Sequence, residues 1–487
     1  MNIGKATITR LATGVPGLDD LLGGGLPEYS FNILAGPPGS GKTTLAHQIM
    51  FALATPERPA LYFTVLGEPP LKMLRYQQQF DFFDSEKVSR SIRFINLGDE
   101  TARGDLGEVL ARIVAEVEAH GPSLVVVDSF RSVVLASQRG GDSFIGLQHF
   151  IQQLGMQMTS WQATTFLLGE YFTESEPSPV FTVADGLIWL HQSVQRNSMV
   201  RKMEIMKMRG QPTLAGLHTF RISAAGIHVF APPAIALPAN AGALELPVAR
   251  LSMGTPGLDE MMGGGLPRGY SLLVAGPSGS GKSILASSFL VEGASRGEVG
   301  VIAAFEQRPN PSRGRAIADL IGSGRVGVID TRALNLSVDE LATLLVAEIR
   351  RLGATRVVID ALSGFELALA PTFREDFRES MARMMSALTG TGATVVLTSE
   401  LEDRYDDLRF SPYGTAFLTD AIIVQRYIEV DSRLQRVMAV VKVRASAHSN
   451  ELRLYHVDGE GIKIGEILAD QEGLLGGRPT RRPKPDG

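Results

Sequence analysis

The stretch Gly36–Thr44, GPPGSGKTT, recurs as GPSGSGKSI at Gly276–Ile284. Both copies fit G-x-x-x-x-G-K-[ST], the Walker A loop, and each lies between an apolar run and a helical pattern. In this motif, glycines let backbone N–H groups converge on phosphate oxygens, and the helix N-terminus adds positive potential. The Lys reaches the outer phosphates and the hydroxyl ligates Mg²⁺. The sequence therefore predicts two nucleotide sites, each with magnesium.

The site residues follow from the two loops and from two later carboxylates. Asp128 ends the run LVVVD and Asp360 ends RVVID, so each is predicted at the carboxyl end of a strand, where open α/β sheets bind ligands. Such an Asp holds Mg²⁺ through water, and the loop hydroxyl ligates it, which gives Thr43, Asp128, Ser283 and Asp360 as the metal set. The predicted nucleotide-binding residues are Gly39, Ser40, Gly41, Lys42, Thr43, Thr44, Gly279, Ser280, Gly281, Lys282, Ser283 and Ile284.

The repeat extends far beyond the two loops. Residues 13–46 match 253–286 without a gap, and later landmarks pair as well, which indicates a duplicated domain. The Pro- and Ala-rich stretch APPAIALPANAGALELP is typical of an extended linker. We therefore divide the chain into domains at 1–232 and 248–468, a linker at 233–247 and a basic Gly/Pro-rich tail at 469–487 that is expected to be disordered.

Within each copy, short apolar runs alternate with helical patterns. In the first copy SFNILAG, ALYFTVL, SLVVVDS and ATTFLLG are nearly continuous apolar runs, as expected for parallel strands buried on both faces. LGEVLARIVAEVEAHG has apolar residues at helical spacing and ends at Gly. The predicted fold class is α/β, with a mostly parallel twisted sheet and helices on both of its faces.

Composition excludes several classes of site. The 487 residues contain 47 Lys and Arg against 52 Asp and Glu, a net charge of −5, which gives no global attraction to nucleic acid or membrane. The absence of Cys excludes disulfides, thiolate zinc sites and Cys nucleophiles, and the eight His form no ligand pattern. The first residues lack an apolar signal segment, so we expect a cytoplasmic protein with no membrane partner.

The loops, the Asp-terminated strands and the leading segment TGVPGLDDLLGGGLP resemble the RecA/RadA branch of P-loop ATPases. Two such domains in one chain, each ending in a K-x-R strand, resemble the KaiC family. The resemblance implies two tandem RecA-like domains in a homohexamer with ATP between subunits. It also implies that Lys207, Arg209, Lys442 and Arg444 contact a neighbour's nucleotide, as arginine fingers do. A solvated, edge-protecting strand face is the alternative for an isolated K-x-R.

The resemblance further implies that a Glu pair after the second strand polarises the attacking water. In the second copy Glu306 occupies the first position, with Gln at the second. In the first copy Leu66 and Gly67 align with the pair, and Glu68 follows. Glu68 takes over this role if the strand continues, whereas Gly67 and Pro69 favour a turn. We therefore expect catalysis by Glu306 in the second domain and slow hydrolysis, or nucleotide holding, in the first.

Clock members of the family phosphorylate themselves on an adjacent Ser-Thr pair. Here the pair aligns with Ala416 and Phe417, which lack hydroxyls, although Thr415 and Thr419 lie nearby. The resemblance therefore supports an ATPase ring, and a phosphorylation cycle of the clock type is not expected.

Three functions remain open from the sequence. The leading hypothesis is a two-tiered ring that hydrolyses ATP to ADP and phosphate and signals its state to an unidentified partner protein. The second is a RadA-like accessory of DNA recombination or repair. The basic tail favours this hypothesis, and the negative net charge argues against it. The third is a scaffold in which bound ATP holds subunits together.

Overall fold

The computed structural model describes residues 8–65, 70–103, 105–130, 144–172, 179–195, 198–231, 249–305, 315–330, 337–364, 377–401, 418–430, 432–467, 471–472 and 480–481. The chain divides into two compact units, Met1–Ala231 and Pro232–Gly487, here called the first and second domains. The predicted linker, 233–247, lies outside the described residues. In the predicted tail, β23 (Gln471–Glu472) pairs antiparallel with β24 (Thr480–Arg481).

The first domain alternates strands and helices along the chain. Its strands are β1 (Arg10–Leu11), β2 (Leu26–Pro27), β3 (Phe31–Gly36), β4 (Ala60–Thr64), β5 (Ile92–Asn96), β6 (Leu124–Asp128), β7 (Thr164–Glu170), β8 (Gly186–Gln195), β9 (Ser198–Met208), β10 (His218–Ser223) and β11 (Gly226–Val229). Its helices are α1 (Leu18–Leu21), α2 (Lys42–Leu53), α3 (Pro70–Gln77), α4 (Gly98–Arg103), α5 (Leu106–His120), α6 (Phe144–Ser160) and α7 (Pro179–Val183).

The sheet of the first domain places the P-loop strand near its centre. Among the described residues it has nine strands in the order β11-β10-β9-β8-β3-β7-β6-β4-β5. The strands from β8 to β5 in that order are parallel neighbours, and β9, β10 and β11 add antiparallel pairs at the other side. Because the parallel strands share a direction, the carboxyl ends of β3, β6 and β7 meet at one edge of the sheet, where the site is expected.

Alternate residues of each strand face two separate cores, one on each side of the sheet. On one side, α2 packs against Leu34, Val126 and Leu168. On the other side, α5 and α6 pack against Ile33, Val127 and other strand residues. Asp105 caps α5 by accepting from the backbone N–H groups of Gly107 and Glu108. Helices therefore cover both faces, as the continuous apolar runs predicted.

The second domain repeats this arrangement. Its strands are β12 (Arg250–Leu251), β13 (Leu266–Pro267), β14 (Ser271–Gly276), β15 (Gly300–Ala304), β16 (Val326–Asp330), β17 (Arg356–Asp360), β18 (Thr394–Glu400), β19 (Ala421–Val430), β20 (Arg433–Val443), β21 (Arg453–Asp458) and β22 (Gly461–Ile467). Its helices are α8 (Pro256–Met261), α9 (Lys282–Ser295), α10 (Arg315–Gly322), α11 (Val338–Leu352) and α12 (Phe377–Gly390).

The order of strands shows that both copies share one topology. Within the described residues, the second sheet reads β16-β15-β17-β18-β14-β19-β20-β21-β22, which is the first order read from its other end with each strand replaced by its counterpart. Helix α9 follows the P-loop strand β14, as α2 follows β3. The predicted fold class, two tandem α/β domains with mostly parallel sheets, is confirmed.

Candidate functional site

Each P-loop joins a buried strand to the first turn of a helix. In the first domain the chain leaves β3 at Gly36 and enters α2 at Lys42. Gly39 and Gly41 have φ of 76° and 105°, which a residue with a Cβ rarely adopts. Gly279 and Gly281 have φ of 76° and 103° in the second domain, so the two loops share one backbone path.

The P-loop lysines lie within their own loops. Lys42 Nζ donates to the carbonyl oxygens of Gly36 and Pro37, both at 2.9 Å. Lys282 Nζ makes the same two bonds to Gly276 and Pro277, at 2.9 and 2.8 Å. Burial lowers the pKa of Lys42, and the nearby carboxylates of Glu170 and Asp128 oppose that effect. Each ammonium is thus held where a phosphate-binding loop needs its positive charge.

Asp128 is held by two hydroxyl groups. Its Oδ2 accepts from Thr43 Oγ1 at 2.9 Å and from Tyr62 OH at 2.5 Å. Burial is the main cause that raises the pKa of Asp128, and the two hydroxyl bonds act against it. Burial also raises the pKa of Tyr62 well above its ordinary value, so the phenol keeps its proton and donates it. The predicted metal residues Thr43 and Asp128 are therefore in direct contact.

The Thr43–Asp128 pair suits magnesium. Mg²⁺ bound with nucleotide takes one or two protein oxygen ligands, phosphate oxygens and several waters. A hydroxyl oxygen whose proton is directed at a carboxylate leaves its lone pairs for a metal. Among the described residues, no group of three or more His, Asp or Glu side chains could hold a metal ion, and a nucleotide site of this type needs none.

Asp360 has a different hydroxyl partner. Thr398, in β18, donates to its Oδ1. Tyr62 is the third residue of β4, and Ile302 is the third residue of the matching strand β15 in the second domain. At the position of Thr398, the first domain has Leu168, which lies beside Asp128 in the strand register. The two domains thus support the same carboxylate from opposite neighbouring strands.

The other predicted nucleotide-binding residues of the loops differ in how far their side chains are buried. The side chains of Ser40 and Ser280 are fully buried, so any contact of these residues with nucleotide would use the backbone. Thr44 is half-buried, and Ile284 and Ser283 are exposed. The predicted catalytic residues Glu68 and Glu306 lie outside the described residues, as do the positions Thr415, Ala416 and Phe417.

The K-x-R residues lie at the opposite edge of the sheet from the P-loop of their own domain. Lys207 is in register with Leu187, which is in register with Ile33, three residues before Gly36. This separates it from the loop by about 10 Å along the strand. Lys207 Nζ donates to the carbonyls of Phe181 and Thr182, both at 3.2 Å, on the far side from the loop.

The arginines of the two K-x-R segments have matching carboxylate partners. Arg209 is 3.2 Å from Asp185, and Arg444 is 3.4 Å from Asp420. Both arginine side chains remain 58% exposed, which leaves them accessible to another molecule. Burial, and then the adjacent arginine, lowers the pKa of Lys207 and of Lys442.

Four residues of these sites were not predicted from the sequence. Tyr62 and Thr398 bind the two Asp side chains, and Asp185 and Asp420 bind the two arginines. Tyr62 and Thr398 lie in apolar strand runs, where they resemble ordinary core residues. The contacts of the two aspartates could have been predicted, because each Asp directly precedes the strand that pairs with its K-x-R strand. Within the described residues, no helix has the length and apolarity that crossing a bilayer requires.

Comparison with known proteins agrees with this geometry. The family model for the KaiC ATPase matches residues 11–234 and again 251–469. The chain is 25% identical to the circadian clock oscillator protein KaiC of Thermostichus vulcanus, over 98% of this chain and 93% of that protein. It is 26% identical to the protein of the same name from Rippkaea orientalis, over 97% and 92% of the two chains. A match to both halves and over nearly the whole length shows that this chain belongs to the KaiC family of ATPases.

Proposed function

We propose that this KaiC-family chain binds ATP and Mg²⁺ in both domains, assembles into a two-tiered ring with nucleotide between subunits, and hydrolyses ATP in the second domain as a switch for a partner protein. The observation that carries the proposal is the separation of each K-x-R segment from the P-loop of its own domain. A ring also explains why the same arrangement occurs in both copies.

The two phosphate sites share three features that nucleotide binding uses. Lys42 and Lys282 make equivalent bonds to their loops, and Asp128 and Asp360 lie at equivalent strand ends. Glu170 and Glu400 also align with Gly36 and Gly276 in the strand register, which puts a further carboxylate beside each loop. These features support nucleotide binding by both domains.

The exposed arginines support a site shared between subunits. Arg209 and Arg444 lie about 10 Å or more along the strands from their own loops, which is beyond direct contact with a nucleotide bound there. Their counterpart is a phosphate group on a neighbour, for which the guanidinium fork is well suited. Closed rings form when one surface of a subunit meets a different surface of the next.

In this proposal the two domains differ in their rate of ATP hydrolysis, because different residues follow the strands β4 and β15. Glu306 supplies the general base of the second domain, and Glu68 is the weaker substitute in the first. The first domain then serves mainly to hold nucleotide and assemble the ring. Since Ala416 and Phe417 lack hydroxyls, we do not propose phosphorylation at the clock positions.

Native mass and phosphate release test this proposal together. We would measure the mass of the intact protein with and without ATP and Mg²⁺, and the turnover of the wild type, Lys42→Ala and Lys282→Ala. Assembly lost mainly in Lys42→Ala and turnover lost mainly in Lys282→Ala is the expected pattern. A monomer in all conditions would remove the shared site, whereas a ring that binds ATP without turnover would identify a scaffold.

A further inference from the structure

Tyr62 is a residue that the proposed function does not use, although it touches the proposed magnesium site of the first domain. We propose that Tyr62 is a positioning residue that holds Asp128 for magnesium binding, and that Thr398 serves Asp360 in this way in the second domain. The inference rests on the proposed nucleotide function, since it concerns the metal of that site.

The contact geometry fixes one carboxylate oxygen between two donors. Tyr62 OH and Thr43 Oγ1 both donate to Asp128 Oδ2, at 2.5 and 2.9 Å. With both bonds made, the carboxylate cannot rotate without losing one of them. The hydroxyl of Thr43 therefore keeps its proton directed at Asp128, and its lone pairs stay available for the metal.

The strand register explains why Tyr62 can reach this oxygen. Tyr62 is in register with Val126 on the adjacent parallel strand, and Asp128 lies two residues further along. Residues two apart on a strand share a face, so the phenol and the carboxylate are on the side that α2 covers. Thr43, in the first turn of α2, approaches from that side.

The phenol is held in place because its ring packs against two other rings in the core. Tyr62 is fully buried. Its ring stacks on His47 with centroids 4.6 Å apart and planes at 22°, and it meets Phe94 at 5.5 Å. Because packing already fixes this donor, no further conformational entropy of its side chain is lost when the metal binds, as in a preorganised site.

The second domain supplies an internal comparison. It lacks the phenol, because Ile302 takes the place of Tyr62, but Thr398 donates to Asp360 from the strand on the other side. The first domain lacks that hydroxyl, because Leu168 takes the place of Thr398. Each copy therefore has one such donor where the other has an aliphatic side chain, which points to a shared requirement met in two ways.

The experiment isolates the first site by carrying Lys282→Ala in the full-length chain. Binding of a fluorescent N-methylanthraniloyl ADP is measured across a Mg²⁺ titration and in EDTA. The four proteins compared are the Lys282→Ala chain with Tyr62 intact, and the same chain carrying Tyr62→Phe, Leu168→Thr or both. Tyr62→Phe should raise the Mg²⁺ concentration for half-maximal binding about threefold to tenfold, as expected for the net loss of one hydrogen bond. Binding in EDTA should not change.

Rescue separates positioning from packing. Leu168→Thr copies the arrangement of the second domain and should return the double variant to within about twofold of the Tyr62 protein, since it restores one hydroxyl bond. The reciprocal set, Thr398→Val with Ile302→Tyr in a Lys42→Ala chain, should behave in the same way. This set decides the question if Tyr62→Phe does not fold.

Three results would count against these conclusions. An unchanged Mg²⁺ requirement in Tyr62→Phe overturns the inference while leaving the nucleotide site intact. A shift that Leu168→Thr does not reverse also overturns it, because a loss of packing would then be the cause. If the Lys282→Ala chain with Tyr62 intact binds no nucleotide at any Mg²⁺ concentration, the proposed function fails, and the inference falls with it.

Discussion

Arg356, buried at the start of the Asp-bearing strand of the second domain, donates to Glu298 at 2.5 Å. Its guanidinium also donates to the carbonyls of Ser252 and Phe289, both at 2.8 Å. The first domain has Leu124 and Arg58 at the two equivalent positions. One copy of the fold thus has a buried charge together with a residue that neutralises it, and the other copy has neither.

Glu298→Ala should destabilise the second domain by about 3 kcal/mol, because a buried guanidinium loses its partner. Adding Arg356→Leu, the residue type of the first domain, should recover most of that loss. Chemical denaturation followed in the second domain gives both values. Equal losses in the single and double variants would show that the ion pair is not the cause.

The matched control for this pair is in the first domain. Arg58 binds Glu28 at 2.8 Å, with 44% of the Arg58 side chain exposed. The equivalent pair of the second domain, Arg268 with Glu298, has the charges exchanged. Arg58→Ala should cost no more than about 1 kcal/mol, since exposed pairs contribute little.

Mixed rings should show on which subunit the K-x-R segment acts. Arg444→Ala and Lys282→Ala should each lose turnover when assayed alone. In an equal mixture, about one interface in four would combine an intact loop with an intact arginine from its neighbour, so turnover should reappear. Phosphate release after mixing measures this, and no recovery in rings shown by native mass to be mixed would place both residues at one subunit's site.

Glu306→Gln should lower ATP turnover by about a hundredfold or more without weakening ATP binding, as expected for loss of a general base. Glu68→Gln should change total turnover little, because the first domain contributes little to it. Single-turnover phosphate release and equilibrium nucleotide binding give the two quantities. A larger loss in Glu68→Gln would reverse the assignment of the active domain.

His47 should make the first domain sensitive to acid. Burial lowers its pKa from 6.5 to about 3. Between these values the unfolded chain binds a proton that the folded domain does not, so the free energy of unfolding falls by about 1.4 kcal/mol per pH unit as the pH drops below 6.5. His47→Phe keeps an aromatic ring against Tyr62 and should remove this slope. Denaturation of the first domain from pH 7 to 5 tests it, and an unchanged slope in His47→Phe would exclude His47 as the source.

Local sequence patterns were sufficient to predict the fold and the phosphate loops. Gly39, Gly41 and Lys42 lie within a few residues of one another, so the motif alone was enough to predict the shape of the loop. Asp128 and Asp360 were also predicted, because an Asp that ends an apolar run in a parallel sheet must lie at the carboxyl edge.

Contacts that depend on neighbouring strands could not be predicted in this way. Tyr62 reaches Asp128 only because β4 lies beside β6 in a register that brings it two residues below the carboxylate. Thr398 reaches Asp360 from β18, on the other side. Since Tyr62 and Thr398 are at different positions of the repeat, comparing the two copies could not show that they share a role. Matching the two copies shows that Arg58 in the first corresponds to Glu298 in the second. The contact of Glu298 with Arg356 could not be predicted, because Arg356 lies on another strand, β17.

Asp185 accepts hydrogen bonds both from the strand that leads to the first P-loop and from the arginine of the first K-x-R segment. Its Oδ2 accepts from the backbone N–H of Phe31, the first residue of the strand that leads to the P-loop, at 3.1 Å. Its Oδ1 accepts from Arg209. If Arg209 turns from that bond to the neighbour's phosphate in the proposed ring, the anchor of its own P-loop strand changes at that moment. Cooperativity between adjacent sites of the first domain would then arise from one carboxylate in each subunit, and Asp185→Asn should reduce the Hill coefficient of nucleotide binding at those sites.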